Sequence, residues 1–327
     1  MNPSFQKLNI LLGKTQVTLG TKQTSLALTD LLAVEDNFSI DYIPGFTAQN
    51  LAQGIFGQPQ TVKGTSPIDI KISMPVVPSG DTTTCNISSL MRASGFAVSG
   101  PSTNQYTYTP TSDVTSSSDK TSWQDMSLWA YTGDKSVGNS LITKAHSVMF
   151  SAKISGELGK PCMCEFTGKG VADGTPAAGN YNDSGSITLL SKVTPAVIKS
   201  TTATIGSLDG LHILKFDVDV GNIVELVKSP SADSGYLRSI ITNRASKWSA
   251  TILQDGVSTK NPISIMDAQT LTDLDFVFGT AGSKIEIKST GKCQITSCKQ
   301  GNDAGLNTFE TAGIFVDNDW EFLVGVA

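Results

Sequence analysis

Asp217 and Asp219 have the spacing most suggestive of chemistry in this chain. They stand two apart in FDVDV (Phe216–Val220), so on an extended strand both carboxylates face one side. A calcium site needs about six oxygens at set positions, and this run supplies only its two carboxylates. The pair therefore reads as the polar face of a strand rather than as a metal site. Asp317–Asp319 (DND) is an acidic turn with the same shortage of ligands. The chain has two histidines, His146 and His212, far apart in sequence and outside any local triad signature. No Gly-rich phosphate loop is present in the sequence. The residues thus predict no catalytic set, no cofactor and no metal.

Five cysteines cannot all pair with one another. Cys162 and Cys164 share one side of a strand pattern and lack CxxC spacing. Cys293 and Cys298 have no histidines beside them. All read as small buried apolar residues in a reducing compartment. Asn243–Arg244 reads as a turn with a surface cation.

The elements that would position these residues are mostly strands. In the first half, Ser66–Val77 alternates, with Ile68, Ile70, Ile72 and Met74 on one face. Ile87–Phe96 reads as a short helix, with Asn86 as its cap and Gly95 as its stop. His146–Ile154 and Pro161–Gly168 read as a hairpin turning at Gly156–Lys160, and Gly168–Gly185 as an exposed loop before a strand at Ser186–Val193. In the second half, His212–Val227 alternates as one long run, with Gly221 as a bulge and Asn222 on the side of Asp217 and Asp219. Pro262–Leu274 reads as helix, Lys284–Cys298 as strand, turn and strand, and Gly313–Val326 as a hairpin around the acidic turn. The plan of strands, one short helix and a hairpin thus occurs twice. The fold class predicted is mainly β, with two tandem β units of barrel or sandwich type, each flanked by one short helix. The boundary falls near Pro195–Ser200, giving domains 1–195 and 196–327.

Composition agrees with packed β cores. The 327 residues suffice for about two domains, and 39% hydrophobic with 16% charged residues excludes a disordered chain. A net charge of -5 argues against a protein that clamps DNA phosphates. No run reaches the roughly 18 apolar residues of a membrane helix, so no membrane partner is predicted. The start, Met1–Gly20, reads as an arm or edge strand without the apolar run of a signal peptide. The long loop 37–61 carries Phe46, Leu51, Ile55 and Phe56, which suit an inter-subunit or inter-ring contact.

Several segments carry a resemblance. LMRASGF (Leu90–Phe96), YTYTP (Tyr106–Pro110), the strand with Trp129 and GKPCMCEFTGKGV (Gly159–Val171) follow in the order seen in tail tube proteins of long-tailed bacteriophages. FDVDVGNIVELV (Phe216–Val227) and IITNRASKWSATI (Ile240–Ile252) continue the likeness. Cys164, Glu165 and Asn243 depart from the family pattern. The resemblance implies a virion tail structural protein, made in the host bacterial cytoplasm, that joins copies of itself edge to edge in rings of three two-domain chains, or of six. Stacked rings would form a conduit through which DNA passes without specific binding, and Asp217 and Asp219 are candidate lumen-facing acids because they lie on the polar face of a long strand. Implied partners are the tape measure, terminator and distal tail proteins. A terminator or distal tail ring of the same fold, and a β-sandwich adhesin or other binding module, are the alternatives. An enzyme is not expected, because no acid–base or nucleophile set appears.

Overall fold

The computed structural model describes residues 7–16, 19–27, 30–32, 34–35, 38–48, 61–78, 85–102, 105–111, 123–134, 140–179, 195–199, 202–254, 260–279 and 284–325. The chain is mainly β, and its dominant feature is one large antiparallel sheet. The first strands are β1 (Lys7–Thr15), β2 (Ser39–Tyr42), the small pair β3 (Phe46–Ala48) and β4 (Thr61–Lys63), and β5 (Pro67–Pro75). Helix α1 (Ser88–Ala93) leads to β6 (Phe96–Ser102), β7 (Gln105–Pro110), β8 (Met126–Asp134), β9 (Ser140–Glu157), β10 (Met163–Ala172) and the short β11 (Ala177–Gly179). Next come β12 (Thr202–Ile205), β13 (Leu208–Leu211), β14 (Ile213–Asp219), β15 (Asn222–Lys228), β16 (Tyr236–Arg244) and β17 (Lys247–Leu253). Helix α2 (Pro262–Ala268) precedes β18 (Thr272–Phe278), β19 (Lys284–Asp303), β20 (Leu306–Phe315) and β21 (Glu321–Gly325).

Alternation explains the strands. In β5 the even-numbered residues Ile68, Ile70, Ile72 and Met74 are buried, while Asp69 and Lys71 face out. Ladder partners fix an order β2-β5-β10-β9 in the first half. The same order recurs as β14-β17-β20-β19 in the second half. Between the two runs, β9 pairs with β14, from Lys215 opposite Glu157 to Asp219 opposite Lys153. Eight antiparallel strands therefore lie side by side across the molecule.

The long strands β9 and β19 change partners midway. The first part of β9 pairs with β8, and its last part pairs with β14. The change falls at Ser147, whose φ is 51° and where the ladders to β8 and β10 both slip. The buried Ser147 hydroxyl donates to Asp125 Oδ2, and its carbonyl accepts from the Ser239 hydroxyl. In β19 the first part pairs with β18 and β21, and the last part with β20. The main hydrophobic core runs from Leu11 to Val324 and draws on both halves. Phe96 meets the edge of Trp320, which stacks on Phe315, so the C-terminal segment is packed into first-half residues. Strand β21 also pairs with β7.

Several predicted elements are corrected. The described strands do not close into a barrel within one chain. Lys284–Cys298 is not a hairpin, because β19 runs on through Gly291 (φ 64°), and the hairpin lies later, between β19 and β20. Gly313–Val326 is not a hairpin either. Strands β20 and β21 do not pair with each other, and both pair with β19. The run His212–Val227 is two strands in two sheets. Gly221 (φ 64°) turns a corner there, and an added Cβ would meet the Ala245 carbonyl oxygen at 2.3 Å. Helix α2 stops at Ala268, since Gln269 takes φ 50°, and Leu274 lies in a strand. In α1 the cap is Ile87. Asn86 instead accepts from Val77 N and donates to Pro75 O, while Gly95 (φ 76°) follows the helix as expected. Gly168–Ala172 continues β10, and Ala177–Gly179 is also strand. Ser186–Val193 lies outside the described residues.

Candidate assembly surface

Directly opposed residues in a ladder share a face, so the registers place one largely polar surface across the eight strands, covered near Met149 and Ser151 by the β15–β16 ribbon. One row across it is Ser73, Glu165, Lys153, Asp219 and Lys247. Another is Glu157, Lys215, Thr251, Glu310 and Lys299. Acids and lysines alternate along both. Lys71 Nζ lies 2.7 Å from Glu165, and Lys153 Nζ lies 3.3 Å from Asp217. Exposed cross-strand pairs of this kind contribute about 0.2–1 kcal/mol each and penalise a slipped register through like-charge contacts.

Asp217 and Asp219 do lie on this polar face, interleaved with Lys153, Lys215 and Lys247. The acids are therefore matched by lysines and do not form a purely acidic wall. Asp219 Oδ1 also accepts from Gly221 N, which holds the corner. Asn222 does not join them. It is buried, and its amide donates to Ser94 O and Phe150 O.

Two edges of the eight-strand run have no strand partner among the described residues. One is β2, whose ladder contacts go only to β5. The other is the last part of β19, Ser297–Asp303, whose ladder contacts go only to β20. Open edges with unsatisfied N–H and C=O groups are templates for pairing with another chain. Phe46 stands near the first edge on β3 and is 64% exposed. Leu51, Ile55 and Phe56 lie outside the described residues.

The internal cation that sequence reading missed is Arg244, which is not a free surface charge. Its Nε donates to Asn222 Oδ1 at 2.7 Å, and Nη2 donates to Ser94 O and Gly95 O at 2.9 and 3.0 Å. Nη1 donates to Thr111 O at 3.2 Å, and the guanidinium lies 5.3 Å from the Phe96 ring centre. Burial pulls its pKa down to about 10. Arg244 thus ties the β15–β16 ribbon of the second half to the end of α1 in the first. A lone arginine after an asparagine carries no local signal of this, since its acceptors lie far off in sequence.

All five cysteines are free thiols, and four are buried. Burial pushes Cys293 up to about 12 and Cys298 up to about 11, so both stay protonated near neutrality. His146 lines an open cleft of about 560 Å³ with Tyr42, Asp173 and Tyr236, and burial lowers its pKa. His212 is remote from it on the chain, between β13 and β14. No group of three metal-ligating side chains occurs among the described residues. No helix among them is long and apolar enough to cross a membrane. The chain matches no known protein family and no curated protein sequence.

Proposed function

We propose that this chain is a tail tube subunit of a long-tailed bacteriophage, a structural virion protein without catalytic activity. The observation that carries the reading is the doubled strand order, with β9 and β14 already joined edge to edge inside one chain. A subunit that joins its own two units by strand pairing, and leaves one open edge at each end, is suited to joining further copies in the same way. Repeating that contact around an axis closes the edges, which removes the aggregation hazard they pose. Residues 1–195 and 196–327 act as two tube-type units, so a ring of three chains presents six units. Rings then stack head to tail through a heterologous contact, which continues indefinitely as a filament.

The polar face of the eight-strand run lines the lumen in this reading. Its alternating acids and lysines give DNA no cationic track to bind, so the strand passes without being held. The tape measure, terminator and distal tail proteins are the partners at the tube's ends and interior. The test is negative-stain electron microscopy of the purified, concentrated chain. Hollow tubes or rings with three chains and a sixfold-like outline are expected. A concentrated chain that stays uniformly monomeric, alone and with its tail partners co-expressed, would overturn the reading.

A further inference from the structure

The registers of the two units correspond position for position at their edges. Asp41 faces Asp69 in the β2–β5 ladder, and Asp219 faces Lys247 in the β14–β17 ladder, across the same length of chain. Ile40 packs on the core from β2 as Val218 does from β14, with the neighbouring acid on the outer face in each strand. On the hairpins, Glu165 faces Lys153 in β10–β9, and Glu310 faces Lys299 in β20–β19. Ala152, beside Lys153, is buried, and Cys298, beside Lys299, packs against the same core. Asp41 is thus the counterpart of Asp219, and Lys299 the counterpart of Lys153.

In the first unit the row continues, because Lys153 is opposed by Asp219 across the β9–β14 junction. The row reads acid, lysine, acid. In the second unit it stops at Glu310 and Lys299, where the edge is open among the described residues. The missing member is an acid on an open strand, and β2 presents Asp41 on its outer face.

We propose that the open edge of β19 pairs antiparallel with β2 of a second copy of this chain, with Asp41 of that copy directly opposite Lys299. The proposal rests on the tube-subunit reading and specifies its contact. The register also places Tyr42 of the second copy opposite Cys298, Ile40 opposite Gln300 and Ser39 opposite Gly301. Sliding β2 along the edge by two residues, the next step that keeps both faces aligned, would set Asp41 against Ser297 or Gly301. Neither offers a cation to the Asp41 carboxylate, so the charge pair is lost in both. Charge therefore selects the register that the internal junction already uses. Within one chain these edges end the eight-strand run, seven spacings of about 4.8 Å apart along the sheet, and the described strands do not close on themselves, so the contact forms between copies.

The test is oxidative cross-linking of the full-length Asp41→Cys/Lys299→Cys double variant, with microscopy of the same samples. Opposed residues in antiparallel strands have Cα atoms about 4.5–5.5 Å apart, within reach of a disulfide. A non-reducing gel is expected to show a ladder of covalent oligomers, and a mixture of the two single variants to show dimers only. Rings or tubes without such cross-links would overturn this pairing and leave the tube reading standing. Cross-linked oligomers without rings would support the pairing and overturn the conduit. In parallel, Asp41→Lys or Lys299→Asp alone should raise the concentration needed for assembly about two- to five-fold, and the two together should restore it. Equal loss in the double charge swap would refute the opposed pair.

Discussion

Arg244 is the most exacting point at which to test the coupling between the two halves. Replacing it with Met keeps most of the stem and removes the guanidinium. Ser94 O keeps its bond from Asn222 Nδ2, and Gly95 O keeps Thr111 N and Oγ1, so these carbonyls are not orphaned. The buried Asn222 Oδ1 loses its charged donor. An unsatisfied buried amide oxygen costs about 1–3 kcal/mol, and a lost hydrogen bond to a charged group about 1.5–3 kcal/mol. Relief of the desolvation that lowers the arginine pKa offsets part of this. The expected net loss is about 2–4 kcal/mol, or a fall in Tm of roughly 3–6 °C for a chain of this size. Lysine should not rescue, because a single ammonium cannot reach the spread of acceptors that the planar fork serves. Thermal unfolding followed by circular dichroism reads the effect. A shift below about 2 °C for Arg244→Met, or full rescue by lysine, would refute the reasoning.

Three further outcomes follow from the same geometry. His146 has its folded pKa lowered by burial, so the unfolded state takes up its proton first. Stability should therefore fall as pH drops through about 6.5, and His146→Leu should flatten that part of the Tm profile, whereas an unchanged slope would exclude this histidine as its source. Gly221→Ala forces a side chain into left-handed backbone against the Ala245 carbonyl, and urea melts should show a loss of more than about 1 kcal/mol, with a neutral result arguing against the corner. Asp217→Lys with Asp219→Lys leaves an excess of cations on the polar face, so assembled particles should retain DNA and eject it poorly. Normal infectivity would take both residues out of the lumen.

Much of the local structure was legible in the sequence. The alternation of SPIDIKISMP places Ile68, Ile70, Ile72 and Met74 in the core without any tertiary knowledge, because the pleat has a period of two. The paired burial of Cys162 and Cys164 follows from the same rule. Asp217 and Asp219 were correctly set on one polar side. What misled was continuity. A strand and a corner look alike when both flanks alternate, so Gly221 read as a bulge, and Gly291 read as a turn although β19 passes through it. Arg244 failed for a different reason, as its four acceptors come from Asn222, Ser94, Gly95 and Thr111, which no local window contains.

The sequence by itself determined the β class and the faces of the strands, because these depend on local pattern and composition. Only the tertiary structure decided which strands lie side by side. Ladder pairing is a long-range choice among many edges that are chemically similar, and it is settled by which buried faces meet in one core. That choice joined β9 to β14, merged the two halves into one sheet, and left β2 and the end of β19 without partners at its two ends.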